Sequence, residues 1–266
     1  MNDALAPIAR AWRWSSRWLP NGWLDAVRQL LLFAAAYYLY RIVRGLVDGK
    51  ASEAFENART LVEIEQSLNL FFEADLQNWA LSTAGFLVDG ANWMYVNSHF
   101  FITIAFLVWL YLARNDAFYF VRNMFMVAMG LALAGYVLFP TAPPRFFPEW
   151  GFTDTVETFV GDGAASSANV LYNPFAAVPS MHVAFALMIG IPAAKLVKHR
   201  PLKWLWLTYP VLVSLTVVLT ANHWWLDAFL GALVAALSAA LAAEGLGRLR
   251  PEAWSWRQRA GAEAPA

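Results

Sequence analysis

The sequence predicts an all-α fold: a polytopic membrane bundle of about six transmembrane helices plus one amphipathic interfacial helix. Two observations carry that expectation. Of the 266 residues, 59% are hydrophobic and 14% charged, against about 25% charged in an average soluble domain. Several apolar runs also reach the ~20 residues that a helix needs to cross a bilayer.

The elements follow in order. Residues 1–23 mix Trp12, Trp14, Trp18 and Trp23 with Arg10, Arg13 and Arg17, a composition suited to a membrane interface or to a disordered lead-in. The first span lies within residues 24–47, with Arg41 and Arg44 crowding its end. Over residues 51–80, Ala54, Ala58, Leu61, Ile64, Leu68 and Phe72 recur at helical spacing, and Glu53, Glu56, Arg59, Glu63 and Glu65 fill the other positions. That pattern predicts an amphipathic helix at the membrane surface whose charges form a solvated face. Residues 81–93 are apolar but interrupted by Gly85, Asp89 and Gly90, and read as a partly inserted hairpin or the approach to the next span.

The second and third spans are expected at 94–113 and 117–139, joined by a tight turn at Arg114-Asn115-Asp116. Residues 140–180 form a long loop rich in Pro, Gly, Asp and Ser, the kind of loop that is often functional. Spans four, five and six are expected at 181–197, 203–221 and 223–244. Lys195, Lys198, His199, Arg200 and Lys203 make the loop between the fourth and fifth basic, and Arg248, Arg250, Arg257 and Arg259 do the same for the tail. By the positive-inside rule both face the cytoplasm, and Arg114 and Arg122 agree. The 140–180 loop, His182 and His223 then fall on the non-cytoplasmic face of a cell membrane.

The net charge is zero, so no basic field calls for nucleic acid. The absence of Cys excludes disulfides, thiolate catalysis and Cys-bound metal.

Four histidines are present. His223 and Asp227 stand four residues apart, a spacing that lets them touch on one helix face. A carboxylate on one ring nitrogen fixes the tautomer and leaves the other nitrogen as base or nucleophile. A buried polar pair that only stabilises packing is the competing reading. Pro179-Ser180-Met181-His182 opens the fourth span, where free N–H groups and the helix dipole suit a phosphate. Arg145, after Pro143 and Pro144, could grip a phosphate in bidentate fashion or be an ordinary solvated arginine. His99 begins the second span on the same side and could contact a polar head group or serve a structural hydrogen bond. His199 reads as solvated. A metal on His182, His223 and Asp227 is the rival use, although neither HExxH nor a carboxylate cluster accompanies them.

These residues, taken together, resemble the type 2 phosphatidic acid phosphatase (PAP2) superfamily, whose signatures are K-x6-R-P, P-S-G-H and S-R-x5-H-x3-D. Pro179-Ser180-Met181-His182 matches the second with Met181 at the Gly position. His223 and Asp227 end the third, with Thr216 at its Ser position and Val217 at its Arg position. Arg145 stands for the first, with Leu138 in place of Lys and Phe146 in place of Pro. The Ala-Pro-Pro-Arg element and the His-Trp-Trp-Leu-Asp run resemble the inositol phosphorylceramide synthase-like branch. The resemblance spans residues 90–245 and implies residues 81–246 as the catalytic bundle, after an N-terminal unit over 1–80 and before a tail over 247–266.

What the resemblance implies is a metal- and cofactor-independent enzyme working through a phosphohistidine. His223 would attack phosphorus, Asp227 would orient it, and His182 would act as acid and then base. Arg145, Ser180 and the backbone at Met181 would bind the phosphoryl oxygens. Beside the resemblance, His99 and Asn222 are candidate substrate-binding residues by position. The expected partners are a membrane lipid and, for head-group transfer, an inositol or sugar acceptor. The alternative is a non-catalytic membrane transporter or scaffold that keeps a lipid-phosphate pocket.

Overall fold

The computed structural model describes residues 19–45, 49–161 and 175–246. Most of the expected lead-in, the 162–174 part of the long loop and the tail lie outside these residues. Among those described there is no strand, only an isolated bridge between Thr141 and Ala176.

The helices are α1 (Gly22–Gly45), α2 (Ala51–Ser67), α3 (Glu73–Thr83), α4 (Gly85–Ala113), α5 (Asn115–Leu138), α6 (Thr155–Val160), α7 (Met181–Leu196), α8 (Arg200–Leu219) and α9 (Trp225–Leu246). Four of them, α4, α5, α8 and α9, are long and apolar enough to cross a membrane. The other two expected spans are also helices. At 16 residues α7 is shorter than a full crossing, and α1 is not among the four. Exposed Leu24, Leu30, Phe86, Phe100, Phe101 and Phe229 give the bundle the apolar outer surface that lipid requires.

Two details differ from the expectation, and a third decides between two readings. The segment 51–80 is two helices, broken where Asn69 takes a left-handed φ of 55°, a conformation that Asn tolerates better than most residues. The buried face of α2 is Ala54, Ala58, Leu61, Val62 and Glu65. Ile64 and Leu68 point outward at 44% and 57% exposure. Glu65 therefore occupies the inner stripe that the apolar periodicity assigns to Ile64 and Leu68. Finally, residues 85–93 continue into the second span through a π-helical stretch at Met94–Ser98, so the approach reading holds over the hairpin.

The short α7 is central. It packs against α4, α5, α8 and α9, and its Gly190 lets the α8 backbone approach so closely that a Cβ would overlap Trp206 O and Pro210. Close helix contact at small residues is the usual route to tight packing between membrane helices. The main core is built from Phe106, Leu110, Phe118, Phe125, Met188 and Ile189. A second core under the long loop centres on the fully buried Trp224, ringed by Phe71, Phe147, Trp150 and Phe152. The Trp224 indole donates to Ala142 O at 2.9 Å, satisfying its one polar atom and fastening the loop to the start of α9. At the far end of the bundle, Arg114 reaches Leu196 O at 2.9 Å and joins the α4–α5 turn to the end of α7.

Candidate active site

His223 stands in the turn before α9, two residues ahead of the helix, and not on the helix as its spacing with Asp227 predicts. The contact forms all the same. Asp227 lies in the first turn of α9 and its Oδ2 receives both the Trp224 N–H at 3.0 Å and His223 Nδ1 at 3.2 Å. The same Nδ1 lies 2.9 Å from Ala177 O. Two acceptors around one ring nitrogen require it to carry the proton. The neutral His223 ring is therefore the Nδ1–H tautomer, and Nε2 holds the free lone pair.

The His223 backbone is held by Val217, whose carbonyl accepts from the N–H groups of Asn222 (3.0 Å) and His223 (3.1 Å). The Val217 side chain is fully buried in the main core, so a hydrophobic residue suits the position where the signature has Arg. Leu138, at the Lys position, is 77% exposed at the end of α5. Thr216, at the Ser position, donates to Met94 Sδ at 3.4 Å.

His182 lies in the first turn of α7, its ring centroid 5.5 Å from that of His223. Its other neighbours are Tyr95 at 4.6 Å and His99 at 4.4 Å, with Phe185 stacked on His99 at 5.2 Å. Three of the four histidines thus meet at one end of the bundle, and His199 lies at the other, exposed just before α8. Tyr95 and His99 share a helix face at i, i+4 spacing across the π-helical stretch. Tyr95 was not legible as a site residue, because an aromatic in a span is usually lipid-facing or core.

Ser180 caps α7, its Oγ accepting from Val183 N at 3.5 Å and its own N–H going to Asp227 O at 3.1 Å. Gly231 of α9 faces Ser180 so closely that a Cβ would overlap the Ser180 carbonyl oxygen. Among the described residues, the N–H groups of Met181 and His182 have no protein acceptor. The N-terminus of α7 thus keeps open donors beside the two histidines, the arrangement that favours an anion.

Arg145 arrives from the long loop. Its N–H donates to Ala221 O at 2.9 Å, its Nη1 to Asn222 Oδ1, and its Nε lies 3.4 Å from Asp154 Oδ2. The Asn222 amide is used on both sides, its Nδ2 donating to Thr220 O and Oγ1. Asn222 is thereby the link that fixes the Arg145 fork to the turn carrying His223. No group of three or more His, Asp and Glu with a spacing able to hold a metal occurs among the described residues.

The sequence reading also missed Glu65 and Glu73. Both are buried, and their carboxylates accept the Leu226 and Trp225 N–H groups at 2.9 Å each. Charged positions on an amphipathic helix read as solvent-facing, and the partner that reverses this lies far away in sequence.

A family model described as "PAP2 superfamily" matches residues 59–241. No curated protein and no solved structure matches the chain.

Proposed function

The chain belongs to the PAP2 superfamily, a family of phosphatase-type membrane enzymes, and from that premise we propose that it transfers a phosphoryl group from a membrane lipid by way of a phosphohistidine at His223. The observation that carries the proposal is the His223 ring, its Nδ1 enclosed by Asp227 and Ala177 and its Nε2 left as a nucleophile, with His182 5.5 Å away between ring centroids.

In the first step the Nε2 lone pair of His223 forms a bond to phosphorus. The bond from phosphorus to the leaving oxygen breaks, and His182 delivers a proton to that oxygen. In the second step His182 takes the proton of the acceptor O–H as its oxygen attacks phosphorus, and the P–N bond breaks. Arg145, the Ser180 hydroxyl and the N–H groups at the start of α7 stabilise the oxygens on which charge develops. The donor is a lipid phosphate or a phosphodiester, and the acceptor is water or the hydroxyl of inositol or a sugar. The active site faces the non-cytoplasmic side of the cell membrane.

Purified protein, with His223→Ala beside it, would be given a panel of lipid phosphates and phosphodiesters, with and without inositol and with EDTA. Released phosphate from the wild type alone identifies a phosphatase, and a new head-grouped lipid made only with added acceptor identifies a transferase. Turnover that survives His223→Ala, or that EDTA abolishes, overturns the mechanism. A second reading, a transporter or scaffold with a lipid-phosphate pocket, is favoured by apolar Leu138 and Val217 at the cationic positions of the signatures. It requires binding of lipid phosphate without turnover.

A further inference from the structure

Three buried carboxylates meet where α9 begins. The Trp224 N–H goes to Asp227 Oδ2 at 3.0 Å, that of Trp225 to Glu73 Oε1 at 2.9 Å and that of Leu226 to Glu65 Oε1 at 2.9 Å. Glu65, Glu73 and Asp227 are exposed by 1%, 0% and 0%. The opening N–H groups of a helix have no partner within it, and a neighbouring side chain usually caps one of them. Here two are capped by residues 152 and 161 positions away in sequence. In this way α2 and α3 hold the turn that carries Asp227 and leads from His223.

Three like charges in a dry interior would repel one another strongly. The geometry divides the roles. Glu73 uses both oxygens as acceptors, Oε1 for Trp225 and Oε2 for the Phe72 N–H at 2.9 Å. Glu65 uses Oε1 only, and its Oε2 finds no donor. A proton on Glu65 removes one charge from the cluster, and Oε2 is the Glu65 oxygen left free to carry it. Burial first, and then the neighbouring Glu73 charge, push Glu65 up to about 9, so it carries that proton at neutral pH. The ionisable groups around Glu65 are Glu73 at the start of α3 and Asp227 on α9, with His223 beyond Asp227.

We propose that Glu65 and Glu73 are positioning residues: their carboxyl groups, accepting the Leu226 and Trp225 N–H groups, clamp the first turn of α9, so that Asp227 keeps His223 in its Nδ1–H tautomer. For catalysis this rests on His223 being the nucleophile. The two also fill the α9 N-terminus with carboxylate, so that of these two adjacent helix starts it is the N-terminus of α7 that stays open to phosphate.

The test uses full-length protein in detergent, labelled with ¹⁵N-histidine, with the His223 signals identified by their loss in His223→Ala. The wild type shows a protonated Nδ1 and an unprotonated Nε2 at His223. Glu65→Gln, whose amide keeps the acceptor and donor of a neutral acid, shows the same signals. Glu65→Leu and Glu73→Gln show mixed tautomers, and kcat falls by about tenfold or more while KM stays near the wild-type value. Unchanged His223 signals in Glu73→Gln, or a mixed tautomer in Glu65→Gln, overturns the clamp, and neither result depends on Glu65→Leu folding. Should the wild type turn over no phosphate compound, the catalytic reading fails while the tautomer measurement still decides the clamp.

Discussion

Asp227 serves two partners through one oxygen. Its Oδ2 holds His223 and the Trp224 N–H, while Oδ1, also buried, has no partner. Asp227→Asn can keep its oxygen on both partners and place the amide nitrogen where Oδ1 lies. The fold then stays intact, but the negative charge that stabilises a positive imidazole is gone, so kcat should drop by about 10²–10⁴-fold. Circular dichroism and kcat measured on the same preparation check this, and an unchanged kcat would assign the pair to packing alone. Glu65 gives a second prediction. Its pKa rises from an ordinary 4.5 to about 9 on folding, so its contribution to stability is full below pH 4.5 and declines as pH rises towards 9. Glu65→Gln removes this proton linkage and should gain stability relative to the wild type across that window, as read from thermal melts at a series of pH values. The candidate residues His182, His223 and Asp227 were legible because their order and spacing are local patterns. Glu65 and Glu73 were not, because what buries them is the first turn of α9, more than 150 residues away in sequence.

At the scale of elements, two glycines separate stability from function. Gly190 seats α7 against α8, and Gly231 seats α9 against Ser180. A methyl group at either position forces backbones apart, at a cost of roughly 1–3 kcal/mol. Only Gly231→Ala also moves α9 away from Ser180 and so shifts His223 relative to His182. Both variants should lower Tm, and Gly231→Ala should lower kcat the more, by tenfold or more for a displacement on the order of 1 Å, because it acts directly at Ser180 while Gly190 lies about two turns along α7 from His182. Equal loss of kcat in the two would mean that the site tolerates no change anywhere in the bundle. Element positions were largely legible, since long apolar runs with charged turns are a strong signal. The break at Asn69 and the π-helical stretch at Met94–Ser98 were not, because neither interrupts the apolar pattern that marks a helix.

For the whole molecule, the structure separates two ends. Arg145, His182 and His223 gather at one, together with the loop that holds Glu149, and the turn at Val197-Lys198-His199 lies at the other, tied to the α4–α5 turn through Arg114 and Leu196. By the positive-inside rule the basic residues around Lys198 predict that second end on the cytoplasmic side, and the proposed orientation then sets the site on the opposite face, where phosphoryl donors and acceptors would arrive from outside the cytoplasm. The chain has no Cys, so single substitutions report without background. Glu149 and Lys198 both keep side chains open to solvent, which makes Glu149→Cys and Lys198→Cys suitable probes. In intact cells a membrane-impermeant maleimide should label Glu149→Cys and spare Lys198→Cys, and permeabilisation should make both react. The reverse pattern would turn the molecule over, give the site cytoplasmic substrates, and show that charge in the short loops does not set the orientation of this bundle.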